Sequence, residues 1–233
     1  MSVHDGHRAR LRERFLKEGL DSFDEHQVLE MLLFYCMPRK DTNEVAHKLI
    51  KRFGSLASVL EAPICELEQV PEIGEKSAFF LSFAAAFSRY YMISRSNAPG
   101  KCLMSVDAWN ECLIPYFLGK TNEMVYLLCL DAKGKQLVCK MINEGSVNSA
   151  GIQVRKLVEA ALNSNASFAV LAHNHPSGVA IPSGDDVATT KTVAAALRAV
   201  DVILLDHLIF AENDSISLAQ SGYFDPKVSY TMR

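Results

Sequence analysis

The stretch Phe168-Ala-Val-Leu-Ala172-His173-Asn174-His175-Pro176-Ser177-Gly178, followed by Ser183-Gly184-Asp185-Asp186, runs through a strand, a turn and a helix start. Phe168 to Ala172 is a short continuous apolar run, the pattern of a buried strand. His173 and His175 leave its end at i and i+2, which puts both side chains on one face of an extended chain. Pro176 and Gly178 turn the chain, and Asp186 falls in the first turn of the next helix. Two imidazoles and a carboxylate make three ligands with a fourth position open, the composition of catalytic rather than structural zinc. The same ligand types also suit non-haem iron. Ser183 and Asp186 have the spacing of a helix capping box as well. That use partly competes with ligation, because a carboxylate on a cation does not freely bond the cap amide.

Around this stretch strands alternate with helices. Val125 to Leu130 and Leu137 to Ile142 are short β-branched runs separated by Asp131-Ala-Lys-Gly134, a hairpin signal. Val154 to Leu162 is helical, with Val154, Leu157, Val158 and Ala161 on one face. Asp185 to Val200 is helical, and Val202 to Leu205 and Leu208 to Phe210 are strand-like. This alternation predicts an α/β domain. Glu144 follows the second strand, in Asn143-Glu144-Gly145-Ser146, where Gly145 lets the chain turn. Alone it reads as a solvated strand end; beside a metal pair it is a candidate general base. Asp206-His207 is a second acid–His pair, read as a structural hydrogen-bonding pair, with a place in the metal's outer shell as the alternative.

The first half has another grammar. Arg8 to Lys17 carries Leu11 and Phe15 at i,i+4, with Gly19 as its stop. Asp24 caps a second helix that Pro38 ends, and Asp41 or Thr42 caps a third that ends at Gly54. Ser55 starts a fourth that stops before Pro63, and a long helix runs from about Glu75 to Arg95. Pieces this short need tertiary packing, so a small helical bundle is expected. Ser94 to Gly100 has linker composition. Glu66 to Ala78 resembles a helix-hairpin-helix, whose tight turn offers backbone N–H groups to a DNA phosphate. Its usual Gly-h-Gly is reduced here, with Glu72 in the place of the first Gly and Gly74 retained. Residues 1–100 hold 13 Lys and Arg against 14 Asp and Glu, so the half is not basic. Arg8, Arg10, Arg12, Arg14 and Lys17 concentrate positive charge, but over more than one helix face.

Composition bounds the classes. The 233 residues are 49% hydrophobic and 22% charged, which suits one large or two smaller globular domains and excludes disorder as the main state. A formal charge of −3 argues against a basic nucleic-acid coat. No run reaches the roughly 18 apolar residues of a membrane span, and the N-terminus has no signal-type apolar core. Cysteines at 36, 65, 102, 112, 129 and 139 form no C-x-x-C pair and read as reduced core thiols of a cytosolic protein.

His173-x-His175-Pro176 with Ser183-x-x-Asp186 and an upstream Glu144 is similar to the JAMM (MPN+) metalloprotease motif. The chain as a whole resembles the RadC family, historically called DNA repair proteins. Gly6-His-Arg-Ala-Arg-Leu-Arg-Glu-Arg-Phe15, Pro38-Arg-Lys-Asp-Thr42, Phe53-Gly-Ser-Leu56, His173-Asn-His-Pro-Ser-Gly178 and Leu204-Leu-Asp-His-Leu-Ile209 carry the resemblance, which spans about residues 6 to 224. It implies an α plus α/β fold: a helical N-terminal bundle with a degenerate helix-hairpin-helix over 1–95, a linker over 96–104, and a JAMM, cytidine-deaminase-like α/β domain over 105–233. It implies that His173, His175 and Asp186 bind zinc, that Glu144 is the catalytic base and that Ser183 helps to hold an oxyanion. The activity implied is a zinc metallopeptidase or isopeptidase acting on a peptide or isopeptide substrate in the cytoplasm. Weak DNA contact through the N-terminal domain and no membrane partner complete the expectation. The rival is a DNA repair or recombination accessory protein whose metal site is structural or unused. The family often reads His-Pro-Arg-Glu where this chain has Gln153-Val154-Arg155-Lys156, and the retained Arg155 reads as a solvated helix residue. Neither His-Glu-x-x-His nor the Pro-Cys-x-x-Cys half of the zinc deaminases is present.

Overall fold

The computed structural model describes residues 3–96, 101–145, 154–211 and 214–226. The chain divides into two compact units, Met1–Arg89 and Tyr90–Arg233. Ser146 and Gln153, noted in the sequence, lie outside the described residues.

The first unit is helical: α1 (Val3–Glu18), α2 (Glu25–Cys36), α3 (Thr42–Phe53), α4 (Leu56–Glu61), α5 (Ile64–Leu67) and α6 (Glu75–Ser96), whose last residues count with the second unit. Local chemistry sets the ends. Asp24 is the N-cap of α2, and its amide donates to Gln27 Oε1 at 3.2 Å. Asp41 Oδ1 accepts from Asn43 N at 3.0 Å at the start of α3, and Ser55 Oγ accepts from Ser58 N at 3.1 Å at the start of α4. Leu29, Leu33, Val45, Leu49, Val59, Leu67 and Leu81 are fully buried together. Two of the sequence motifs meet in one clasp. The Arg8 guanidinium donates to the carbonyls of Met37, Pro38 and Lys40 at 2.8, 2.9 and 2.6 Å and lies over the Phe34 ring, so it caps the exit of α2. Arg14 is likewise engaged with Ser22, so the basic cluster is partly spent inside the bundle.

Between α5 and α6 lies a turn in which Glu72 stands at the place of the expected first glycine. Glu72 has φ 78°, the left-handed region that glycine adopts at little cost. Its carboxylate accepts from Lys48 Nζ at 2.9 Å, which ties the turn to α3.

The second unit holds α7 (Val106–Phe117), β1 (Met124–Leu130), β2 (Gln136–Glu144), α8 (Val154–Asn163), β3 (Phe168–Asn174), α9 (Gly184–Arg198), β4 (Ile203–Ala211) and β5 (Asp214–Ser217). The five strands form one mixed sheet in the order β2-β1-β3-β4-β5, with β3 and β4 parallel and the other neighbours antiparallel. Val125, Leu127, Cys129, Ala169 and Leu171 face Leu157 and Ala161 of α8 and Val193 and Leu197 of α9. The alternate residues Tyr126, Leu128, Val170 and Ala172 face Trp109, Leu113 and Phe117 of α7. Helices on both faces explain why β1 is apolar at every position and buried throughout. The β1–β2 turn is set by Asp131, whose Oδ1 accepts from the amides of Lys133 and Lys135 at 2.8 and 2.9 Å. Gly134 there has φ 74°, and a Cβ on it would lie 2.3 Å from Met104 Cγ.

Four features differ from expectation. The two strand pieces at 202–205 and 208–210 are one strand, β4, because Asp206 and His207 are buried with their polar atoms bonded. The helix α7, with Pro115 in its last turn, and the short edge strand β5 carry no strong sequence pattern. The residues expected as a linker end in contact with the second unit: Cys102 bridges to Lys135, and Leu103 O accepts from Trp109 Nε1 at 2.6 Å. Finally, all six cysteines are free thiols, but not all are core. Cys65 sits on one-turn α5, which buries only Leu67, and Cys102 lies at the sheet margin; both are exposed.

Burial pushes the Cys112 thiol up to about 11 and holds Cys129 above, and Cys139 well above, the ordinary thiol range. The thiolate is the nucleophile, so these three are expected to be inert in the folded protein. Alkylation under native conditions, read by peptide mass spectrometry, should label Cys65 and Cys102 and spare Cys112, Cys129 and Cys139 until the chain is denatured. Native labelling of the latter three at the rate of Cys65 would contradict this packing.

Candidate metal centre

Donor atoms arrive from the end of β3, the turn after it and the first turn of α9. His173 is fully buried, on the sheet face that α8 and α9 cover, and His175 follows two residues on. His173 Nε2 and His175 Nε2 lie 2.9 Å apart. Asp186 Oδ1 is 3.3 Å from His173 Nε2, and Asp186 Oδ2 is 3.6 Å from His175 Nε2. Donors around a tetrahedral cation with bonds of ~2.0–2.1 Å are roughly 3.3 Å apart, so these residues fit a divalent metal such as zinc. His175 Nδ1 is 3.0 Å from the Val179 carbonyl. A carbonyl only accepts, so Nδ1 carries the proton and Nε2 presents its lone pair to the site. Gly178, at φ 84°, closes the turn that brings Val179 there.

Ligation and capping share Asp186 without conflict. Ser183 N and Ser183 Oγ donate to Oδ2 at 2.8 and 2.6 Å, and Asp186 N donates back to Ser183 Oγ at 3.1 Å. The cap thus occupies Oδ2, while Oδ1 faces His173. Burial works to raise the Asp186 carboxyl, but the neighbouring His173 imidazole and the hydrogen bonds from the Ser183 hydroxyl and amide hold it well below the usual carboxylate range.

A second carboxylate near both imidazoles is Glu123, which the sequence reading did not single out. One of its oxygens lies within 4.8 Å of a ring nitrogen of each histidine. Asn174 holds this segment in place. Its Oδ1 accepts from Met124 N at 2.7 Å and its Nδ2 donates to Asn122 O at 3.1 Å, on either side of Glu123. Gly145 N donates to Glu123 O at 2.7 Å from the other edge. Glu144 is one strand further out. It pairs with Met124 across β1 and β2, is exposed, and accepts from Asn122 Nδ2 at 3.2 Å. Both carboxylates line one open depression with Thr121, Asn122, Gly145 and Pro176.

Asp206 and His207 part company. Asp206 accepts from Ser217 Oγ and from the amides of His207 and Ala219, and so stitches β4 to the chain after β5. His207 turns to the opposite face, where its ring meets His173 at 2.8 Å. Arg155 is exposed and bonds Glu159 one turn along α8, as a solvated pair.

Removing the cap hydroxyl tests the shared role of Ser183. Ser183→Ala should cost about 1 kcal/mol of stability in chemical denaturation. An unchanged midpoint would show that the hydroxyl does not cap α9.

The geometry has counterparts. A family profile described as RadC-like JAB domain matches residues 103–223, which holds β1 to β5 and the whole His–His–Asp cluster. A UPF0758 protein of Fusobacterium nucleatum subsp. nucleatum is 30% identical over 227 residues, covering 94% of this chain and 97% of its own. With the profile on the second unit and a relative that runs through the helical unit as well, the chain belongs to the RadC-like JAB domain family.

Proposed function

We propose that this protein is a zinc-dependent hydrolase of an amide bond in a peptide or isopeptide. The observation that carries the proposal is the convergence of two imidazole Nε2 atoms at 2.9 Å with the Asp186 carboxylate beside them. His173, His175 and Asp186 are the ligands in this reading. When bound, such an ion supplies Lewis acidity, which makes a water nucleophilic near neutral pH and polarises a carbonyl. The chain's own residues do the rest. Glu123, within one water's reach of the imidazole pair, takes a proton from the attacking water and delivers it to the departing amine nitrogen as the C–O bond forms and the C–N bond breaks. Glu144, on the outer strand of the same depression, is the alternative base, better placed to meet the substrate at the rim. Ser183 keeps Asp186 oriented, and its hydroxyl serves an oxyanion only by giving up that bond. Six free thiols suit a reducing compartment, so we place the protein in the cytoplasm. No helix among the described residues is long and apolar enough to cross a membrane.

The two carboxylates are separated by a paired measurement of zinc content and hydrolysis of a peptide or isopeptide library. Glu123→Gln should keep about one zinc per chain and lose about 10²–10⁴-fold in rate, whereas His173→Ala should lose both metal and turnover. Loss of zinc in Glu123→Gln would make Glu123 a ligand. A full rate in Glu123→Gln with a loss in Glu144→Gln would transfer the base role to Glu144.

A second reading, a DNA-associated accessory protein, draws on the hairpin whose Glu72 keeps the left-handed turn. A carboxylate at that point repels phosphate, so duplex binding is expected to be weak and to fall as salt rises. Glu72→Gly should strengthen it. Tight duplex binding by the unmodified chain at physiological salt would favour the accessory role.

A further inference from the structure

Behind His173 lies a chain of buried polar groups that neither capping nor ligation requires. His173 Nδ1 is 2.8 Å from His207 Nε2. His207 Nδ1 is 2.6 Å from Thr190 Oγ1, and Thr190 Oγ1 is 2.6 Å from the carbonyl oxygen of Asp186. His173, His207 and Thr190 are each fully buried, so no water competes for these contacts.

The direction of every bond follows from the last one. A carbonyl oxygen only accepts, and a threonine hydroxyl has one proton to give. That proton goes to Asp186 O. The contact between Thr190 and His207 then requires a proton on His207 Nδ1. The neutral form of an imidazole carries one proton, and with that proton on Nδ1 the Nε2 of His207 is bare and accepts. The proton between the two rings therefore belongs to His173 Nδ1. His173 is left with its Nε2 turned toward His175 and Asp186.

We infer that Thr190 and His207 are positioning residues: a relay Asp186 C=O ← Thr190 ← His207 ← His173 fixes the ring orientation and tautomer of His173 and keeps its Nε2 for a cation. The purpose of the relay rests on the metal-hydrolase reading; the tautomers do not. The relay starts on the backbone of one proposed ligand and ends on the ring of another, so α9 sets both together. Partners of this kind typically change metal affinity by about 10–100-fold when removed.

The experiment is long-range proton–nitrogen NMR of the 15N-labelled, metal-free full chain, with zinc affinity by competition with a chelator. In the unmodified protein, His207 should show a protonated Nδ1 and a bare Nε2, and His173 a protonated Nδ1. Thr190→Val, near-isosteric but without the hydroxyl, should lose the single tautomer of His207 and bind zinc about 10–100-fold more weakly. Thr190→Ser should restore both. A proton on His207 Nε2 in the unmodified protein would overturn the relay, whether or not any variant folds. So would zinc affinity unchanged in Thr190→Val. If the tautomers are as stated and zinc does not bind at all, the relay stands and the metal reading falls.

Discussion

Two imidazole Nε2 atoms facing each other at 2.9 Å need a positive centre between them, a shared proton or a cation, because two bare lone pairs at that distance repel. The second unit is organised around holding them there. His173 sits in a ladder that runs from Asn143 through Val125 to His173 and on to Ile209, so its backbone is fixed from both sides of β3. His175 leaves the sheet, but its amide still donates to Phe210 O at 2.7 Å. The right-handed crossover expected of parallel β3 and β4 places α9 over one sheet face, and its first turn supplies the counter-charge. A site assembled from a strand end and a helix start is more rigid than one on loops alone.

Asp186 shows how folding and chemistry share one group. A carboxylate in the first turn of a helix is favoured by the unsatisfied amides and the macrodipole there. The capping box then fixes its rotamer through Oδ2. What remains is Oδ1, aimed at His173. The cap therefore does not draw the carboxylate away from the imidazoles. It orients it, and the same hydrogen bonds keep the group charged in a buried place.

The strand, turn and helix that carry His173, His175, Ser183 and Asp186 were legible because they are local. Each spacing lies within one or two elements, and period and cap rules act over that distance. Glu123 was not legible, because what places it is the antiparallel register of β1 with β3 and with β2. Glu123 and Glu144 end neighbouring strands at the same edge of the sheet, and hydrophobic pattern alone does not say which end faces the histidines. The clue available was Asn174, an amide between two imidazoles with no partner of its own in sequence; its two bonds flank Glu123. The second, third and fourth N-terminal helices were legible because Asp24, Asp41, Gly54 and Ser55 are strong stop and start signals, whereas the first turn of α1 and the one-turn α5 carry none. Glu72 taking the conformation of the missing glycine was beyond such rules, because the fold and Lys48 impose it.

The polar relay also explains an irregularity of the core. The sheet face under α8 and α9 is lined by Val, Leu, Ile, Ala and Cys129 until it reaches His173, His207 and Thr190. Apolar side chains of similar volume there would avoid the desolvation of three polar groups, and such replacements are often neutral or stabilising. Stability alone therefore gives no reason for the network. A satisfied chain of bonds does give direction: it selects one tautomer and one ring plane, which close packing of apolar groups cannot do. The apolar face breaks where α9 leaves Asp186, next to the proposed ligands. The core is polar here because the orientation of a buried nitrogen, rather than the burial of area, is what the fold has to specify.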